Sequence, residues 1–211
     1  MRIFEAVKQF ITPLEKDFLE RARKGFNLEK VLNNLREKHK NSENSNVRSM
    51  LLIPGGGMKI ANSGGFLLAL HEQDLINDFN TVVGDSAGAI LAAYGLSGQT
   101  DVVQRLFFEN ANKFIKWQNG KPSIDVDLIA NLLKEGEFSL NVQAVLNSKP
   151  DFFIAVAGSS GSCEFINAKD FKINLIDLLK ASMASPFFYG KKVEINGQSL
   201  ADPLMDQLPL L

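Results

Sequence analysis

The stretch MLLIPGGGMKIANSGG, residues 50–65, joins a continuous apolar run to a dense group of glycines. A short apolar run that ends in glycines is typical of a buried parallel strand, and residues 63–75 predict the helix that follows it. The same order recurs downstream, where residues 79–83 predict a strand and residues 87–96 predict a helix of small residues. Strands that alternate with helices predict a three-layer α/β/α domain with a mostly parallel central sheet.

The rest of the chain extends this alternation and adds an N-terminal part. Apolar residues at helical spacing predict an N-terminal helical segment over residues 1–40, and the polar residues 41–49 predict a linker to an α/β domain over residues 50–211. Within that domain, further helices are predicted at residues 100–114, 125–134 and 175–184. Further strands are predicted at residues 151–157, 163–167 and 193–201, the last with Asn196-Gly197 as a hairpin turn.

Composition and charge narrow the classes of protein that the chain can belong to. Its 211 residues carry a net charge of −1, which gives no reason to expect a nucleic acid partner. The single cysteine, Cys163, excludes an intrachain disulfide and fits a reducing compartment. No apolar run approaches the ~20 residues of a membrane span, and residues 1–18 lack the apolar stretch of a secretory signal. These features predict a soluble, cytoplasmic protein.

The pentapeptide Gly84-Asp85-Ser86-Ala87-Gly88 has the form G-x-S-x-G and lies between a predicted strand and a predicted helix. In that context the serine adopts a strained backbone conformation at a tight turn, and its neighbours must be small because strand and helix nearly collide. The helix N-terminus also places partial positive charge beside the serine. Ser86 is therefore the candidate nucleophile, and the alternative is a simple glycine-rich turn.

A nucleophilic serine needs a base, and the chain offers only two histidines. His39 lies in a polar segment and His71 lies in the helix predicted after the first glycines, so a Ser-His-Asp triad has little support. A carboxylate whose pKa is raised by burial could instead act directly on the serine. We interpret Asp85 as a surface or helix-terminal carboxylate, where it suits the helix dipole, and not as this base.

The glycines at positions 55–57 have several candidate roles. A dinucleotide fingerprint would need a glycine at position 60, where Ile60 stands, and a phosphate loop would need Gly-Lys-Ser/Thr, which is absent. Two interpretations stay open. The backbone N–H groups of the loop can face a developing oxyanion, or the glycines can simply allow a tight crossing from strand to helix.

Three segments taken together resemble the patatin-like phospholipase family. They are PGGGMKIANSGGFLLAL (54–70), VVGDSAGAILAAYG (82–95) and ASMASPFFYGKKVEINGQSLADPLMDQLPLL (181–211). In order and approximate spacing they match the family's glycine-rich loop, its G-x-S-x-G elbow, its A-S-x-x-x-P segment and its closing aspartate motif. The resemblance covers about residues 50–211. It implies a patatin-like α/β/α fold and acyl-ester hydrolysis by a Ser-Asp dyad, with no catalytic histidine, cofactor or metal.

Carried over residue by residue, the resemblance makes Ser86 the nucleophile. It assigns the backbone donors of an oxyanion hole to Gly55, Gly56, Gly57 and Met58. Residues 182–186, SMASP, match the family only as a positioning turn.

The dyad aspartate depends on how the closing motif is counted. Counting forward from the turn at Asn196-Gly197 places Asp202 at the aspartate position, whereas counting back from Pro209 places Ala201 there. We assign Asp202, because a strand has a fixed rise and the loop after it can shorten. Asp206 is the reserve candidate.

The sequence departs from the family pattern at three places. Lys59 stands where arginine is usual, Ile60 replaces the last loop glycine, and Pro203-Leu204 replaces two glycines after the aspartate. We therefore weigh two functions. The first is a lipid acyl hydrolase of the phospholipase A or lysophospholipase type, which acts on phospholipids or other lipid esters and associates peripherally with membranes. The second is a catalytically impaired relative that serves as a binding or regulatory module. An acyl-carrier-dependent transferase ranks last, because it normally needs a histidine near the nucleophile.

Overall fold

The structure is a computed structural model that describes residue 30 and residues 33–37, 48–118, 120–170 and 172–203. The chain divides into two units, Met1–Val47 and Arg48–Leu211. In the first unit, the described residues are helical. The remainder of the predicted N-terminal helical segment and most of the predicted linker lie outside the described residues, so the boundaries at residues 40 and 49 stay predictions.

Strands and helices alternate along the second unit. The strands are β1 (Met50–Ile53), β2 (Thr81–Asp85), β3 (Ile115–Gln118), β4 (Lys121–Ile124), β5 (Asp151–Ala157), β6 (Cys163–Asn167), β7 (Val193–Ile195) and β8 (Gln198–Leu200). The α-helices are α1 (Ala61–Glu72), α2 (Ala87–Leu96), α3 (Thr100–Phe114), α4 (Val126–Lys134), α5 (Val142–Asn147) and α6 (Leu175–Met183). Two short 3₁₀ helices, Gly57–Ile60 and Ile76–Asp78, precede α1 and β2.

A four-stranded sheet in the order β1-β2-β5-β6 lies at the centre of this unit. β1, β2 and β5 are parallel, and β6 pairs antiparallel with β5. The register sets Ile53 beside Gly84, and Asp85 beside Ala155. Because the carboxyl ends of parallel strands meet at one edge of a sheet, the loops that follow β1 and β2 lie side by side. This mixed α/β fold with a mostly parallel sheet confirms the predicted fold class.

Helix α2 is the centre of the hydrophobic core. Every residue from Ala87 to Leu96 is buried, as expected for a helix that is apolar on all sides. It packs on β2 and is contacted by α1, α3 and α6, while α6 also packs on β5. Close packing around a helix of small residues fixes its N-terminus, and with it the residue that precedes the helix.

Two small antiparallel pairs stand outside the central sheet. The pair β7–β8 turns at Asn196 and Gly197, whose φ angles are 51° and 79°, which are typical of the hairpin turn that the sequence predicts. The pair β3–β4 was not predicted, and neither was helix α5. In α5, the Asn141 side chain accepts a hydrogen bond from the Ala144 N–H at 3.0 Å and so caps the helix.

Candidate active site

Ser86 occupies the single position between the end of β2 and the start of α2. Its backbone angles are φ 50° and ψ −127°, a region that side-chain-bearing residues rarely adopt and that costs on the order of 1–3 kcal/mol. The Ser86 carbonyl accepts a hydrogen bond from the Ala89 N–H at 3.1 Å, which begins the helix. The strained turn predicted from the G-x-S-x-G pattern is therefore present at this serine.

The two glycines of the pentapeptide are required by close backbone approach. A Cβ on Gly88 would lie 2.1 Å from the Ile53 carbonyl oxygen, and a Cβ on Gly84 would lie 2.6 Å from the Ala89 Cα. Both distances are below any real contact of a Cβ atom. The glycines thus let α2 start directly against β1 and β2, which is the physical reason for the spacing in the pattern.

The Ser86 turn is held by Ser182, a residue of α6. The Ser86 N–H donates to the Ser182 Oγ at 2.7 Å, and the Ser182 hydroxyl donates to the Ala155 carbonyl of β5 at 2.7 Å. Ser182 is fully buried. Its bond to the Ala155 carbonyl is shielded from water and its bond from the Ser86 N–H is partly so, and shielded hydrogen bonds are worth more than exposed ones. One buried hydroxyl therefore fastens the strained turn to the neighbouring strand.

The glycine loop adopts conformations that explain two of its glycines and one departure from the family pattern. Gly56 and Gly57 have φ angles of 148° and 56°, which favour glycine. Ile60 has the ordinary helical angles φ −60° and ψ −13°, and its side chain is buried. Position 60 therefore needs no glycine in this chain, and isoleucine adds to the core there.

Asp85 is tied to the glycine loop. Its carboxylate Oδ1 accepts a hydrogen bond from the Gly55 N–H at 2.9 Å, and a Cβ on Gly55 would lie 2.8 Å from Asp85 Oδ2 and 2.9 Å from Ser86 Cβ. Burial raises the pKa of the Asp85 carboxyl, opposed by the hydrogen bonds from the Gly55 and Asp85 N–H groups. Of the two positions expected for Asp85, the one at the helix end is confirmed, since Asp85 directly precedes the N-cap of α2. The surface position was wrong, because Asp85 is half-buried and its hydrogen bond fixes the loop.

Asp202 follows β8 and is 1% exposed. The preceding residue, Ala201, exchanges two backbone hydrogen bonds with Ala157 at the end of β5, at 2.8 and 2.9 Å, and the Asp202 N–H donates to the Ala184 carbonyl at 3.2 Å. Ala184 lies two residues after Ser182, which holds the Ser86 N–H. The two predicted dyad residues are therefore both bonded to the same short segment at the end of α6.

The other candidate residues lie elsewhere. His71 is exposed near the end of α1, and its ring approaches Gly98, which follows the far end of α2 from Ser86. A helix of ten residues spans about 15 Å, so His71 is out of reach of that serine. The reserve aspartate, Asp206, and His39 lie outside the described residues.

Two further features are absent from the described part of the chain. Among those residues there is no group of three or more histidine, cysteine or carboxylate side chains that could hold a metal ion. Nor do they include a helix with the length and hydropathy that crossing a bilayer requires.

Comparisons with known proteins give one family match and one similar solved structure. The family model described as patatin-like phospholipase matches residues 51–206. Among solved structures, the crystal structure of VipD from Legionella pneumophila is similar with a TM-score of 0.56 and 12% sequence identity, over 74% of this chain. The match spans 46% of the VipD chain, so this chain corresponds to less than half of that protein. No curated protein sequence matches significantly.

Proposed function

Because the chain belongs to the patatin-like phospholipase family, we propose that it is a lipid acyl hydrolase of the phospholipase A or lysophospholipase type that uses Ser86 and Asp202 as a dyad. The observation that carries the proposal is the strained Ser86 turn, whose N–H is bonded to Ser182. Such strain persists only where the surrounding structure holds it, and it is typical of a nucleophile elbow. Asp202 is fastened to the same segment and is buried.

In the proposed first step, the Ser86 Oγ attacks the ester carbonyl carbon while its proton passes to the Asp202 carboxylate. The C–O π electrons move to the carbonyl oxygen and form a tetrahedral oxyanion. When the oxyanion collapses, the bond to the alcohol breaks and the departing oxygen takes the proton from Asp202. The alcohol leaves, and the acyl group stays on Ser86 as an ester.

In the proposed second step, water attacks the acyl-enzyme and gives its proton to Asp202. Collapse of the second tetrahedral intermediate releases the fatty acid and returns the proton to the Ser86 Oγ. A single carboxylate serves as base and then as acid in each half. Asp202 is buried against the end of the same segment that holds the Ser86 turn.

The proposed oxyanion hole is the glycine loop after β1. The Gly55 N–H already donates to Asp85, so Gly55 would have to change partner to serve as a donor. We assign the main donors to the N–H groups of Gly56, Gly57 and Met58, with Asp85 holding the start of the loop. Loss of one preorganised donor of this kind typically lowers kcat by a factor of about 10²–10³.

The test is active-site labelling combined with turnover. A fluorophosphonate probe should label the wild-type protein at one serine, and Ser86→Ala should abolish both labelling and the hydrolysis of a monomeric p-nitrophenyl ester. Ser160→Ala is the matched control, because Ser160 is an exposed loop serine and should leave both signals unchanged. Asp202→Asn should lower turnover by about 10²–10⁴ without lowering the unfolding temperature of the protein enough to explain the loss.

Other outcomes would assign a different function. A folded wild-type protein that neither reacts with the probe nor cleaves the ester would support the catalytically impaired binding module instead. Turnover that survives in Ser86→Ala would show that another group carries the chemistry.

A further inference from the structure

The hairpin β3–β4 has one apolar face. In its antiparallel register Ile115 lies opposite Ile124 and Trp117 lies opposite Pro122. Directly opposed residues and residues two apart share a face, so these four side chains form one side of the hairpin. Lys116 and Ser123, which are also opposite each other, lie on the other side. The pair forms its own two-stranded sheet outside the central one.

This apolar face is exposed to solvent. Trp117 is 64% exposed and Ile115 is 42% exposed. Aromatic residues exposed to that degree on a regular strand are unusual, because the burial of an aromatic side chain normally stabilises the folded state strongly. An apolar patch of this kind marks a surface that another molecule covers.

A second exposed apolar pair adjoins the hairpin. The Ile124 N–H donates to the Phe188 carbonyl at 2.8 Å, which places the turn at residues 185–190 beside the end of β4. In that turn, Phe187 is 66% exposed and Phe188 is 37% exposed. We call the combined surface of Ile115, Trp117, Phe187 and Phe188 the aromatic patch.

The turn that carries Phe187 is rigid. The Ser185 carbonyl accepts a hydrogen bond from the Tyr189 N–H at 2.7 Å, and the Tyr189 hydroxyl donates to Asp127 of α4 at 2.9 Å. Lys180 also pairs with Asp127. The patch is therefore held in place before it meets a partner, which reduces the entropy lost on binding.

Three exposed lysines flank the residues of the aromatic patch along the chain. Lys121, Lys191 and Lys192 are exposed, and Lys191 lies 5.6 Å from the centroid of the Tyr189 ring. The nearby carboxylates of Asp125 and Asp127 are paired with Lys116 and Lys180. An apolar centre with tryptophan and phenylalanine and a margin of lysines matches the interface of a bilayer that contains anionic lipids.

We propose that the aromatic patch docks the protein on an anionic lipid surface, with Trp117 and Phe187 inserted at the headgroup level and Lys121, Lys191 and Lys192 against the headgroups. The proposal rests on the proposed lipid substrate. Phe187 lies five residues after Ser182, the residue that holds the Ser86 turn. Docking through this surface would anchor the chain next to the segment that holds the Ser86 turn.

The test uses the full chain with Ser86→Ala, so that vesicles stay intact. Trp117 is the only tryptophan, and its fluorescence therefore reports on the patch alone. Phosphatidylcholine vesicles that contain about 30 mol % phosphatidylserine should shift its emission to the blue, and lipids brominated on the upper part of the acyl chain should quench it. Phosphatidylcholine vesicles alone should bind more weakly.

Variants separate the apolar and the charged contributions. Phe187→Ser should weaken partitioning about ten-fold, and Lys191→Gln with Lys192→Gln should weaken it about twenty-fold on anionic vesicles only. The matched control is Phe165→Ser on β6, where the side chain is 61% exposed, and it should leave partitioning unchanged. Unfolding temperatures close to that of the parent confirm that each variant is folded.

Three results would overturn the docking proposal. They are an emission spectrum that vesicles do not change, equal losses of binding in Phe187→Ser and Phe165→Ser, and burial of Trp117 by self-association in the absence of lipid. Hydrolysis of a soluble ester without vesicle binding would leave the proposed function intact and remove the docking surface. Patch-dependent vesicle binding by a protein that hydrolyses no ester would support the docking surface and contradict the proposed function.

Discussion

Gly88→Ala should strongly destabilise the protein, although alanine is the better helix former. The added Cβ would lie 2.1 Å from the Ile53 carbonyl oxygen and 2.7 Å from the Pro54 carbonyl oxygen. Both contacts are backbone atoms, so no side-chain rotation can relieve them. Strand β1 and helix α2 must therefore separate by roughly 1 Å in a closely packed region.

The magnitude follows from the size of that overlap. Overpacking in a core costs about 1–3 kcal/mol, and a clash with two backbone carbonyls belongs at the upper end. The gain in helix propensity from alanine is at most about 1 kcal/mol and does not offset it. We expect the free energy of unfolding to fall by about 2–3 kcal/mol, which lowers the unfolding temperature of a domain of this size by roughly 4–12 °C.

The matched control is Gly65→Ala in α1. Gly65 is exposed, and a Cβ there would meet no atom within 4 Å. The same substitution should therefore raise stability by about 0.5–1 kcal/mol through helix propensity. Urea denaturation of both variants, followed by circular dichroism, measures the difference. If the two variants have the same denaturation midpoint, the crossing of β1 and α2 is not as tight as the structure places it, and the reasoning fails.

Two predictions concern the side chains that hold the site. Ser182→Ala should lower the free energy of unfolding by about 2–3 kcal/mol, because it leaves the Ser86 N–H and the Ala155 carbonyl without their hydrogen-bond partner. A loss of unfolding free energy below about 1 kcal/mol in a urea titration would contradict this prediction. Asp85→Asn should raise the unfolding temperature more at pH 7 than at pH 4. Burial raises the pKa of the Asp85 carboxyl, so the parent loses stability as the pH rises through the native pKa, whereas asparagine keeps an oxygen acceptor and does not ionise.

The elements that the sequence predicts best are those whose pattern depends on one local cause. Residues 87–96 and 151–157 have the predicted bounds. A fully buried helix and a largely buried strand have nearly continuous apolar sequences, which makes them easy to recognise. The β7–β8 turn was predicted because Asn196-Gly197 suits positive φ angles. In each case the local sequence and the tertiary structure favour the same conformation.

The β3–β4 hairpin was missed although a signal was present. Asn119-Gly120 is a strong hairpin dipeptide, and the flanking residues alternate between apolar and polar. The alternation was hard to recognise because the apolar face of the hairpin is exposed, whereas strand patterns are normally interpreted as pointing apolar residues towards a core. The element that departs from the usual pattern is the one that we propose as the docking surface.

The strained turn at Ser86 was predicted from the G-x-S-x-G pattern. The family resemblance marked residues 182–186 as a positioning turn, but it did not give the hydrogen bonds that Ser182 and Asp85 make. Ser182 is 96 residues from Ser86, and Asp85 contacts the loop 30 residues before it. No spacing rule connects residues so far apart, so these contacts needed the fold. For Asp85 the sequence predicted a position at the surface or at a helix end, where a carboxylate suits the helix dipole.

Asp85 and Ser182 have the same physical role at two neighbouring backbone positions. Each supplies an oxygen that accepts a hydrogen bond from a backbone N–H, at Gly55 and at Ser86 respectively. The two acceptors differ in charge, and burying the Asp85 carboxylate therefore carries a larger free-energy penalty than burying the Ser182 hydroxyl. If the reaction needs only the hydrogen bond that holds the Gly55 N–H, and not the charge of the acceptor, Asp85→Asn should keep the fluorophosphonate labelling rate of the parent. A slower rate in a folded, stabilised Asp85→Asn protein would show instead that the negative charge beside the Ser86 turn contributes to the reaction.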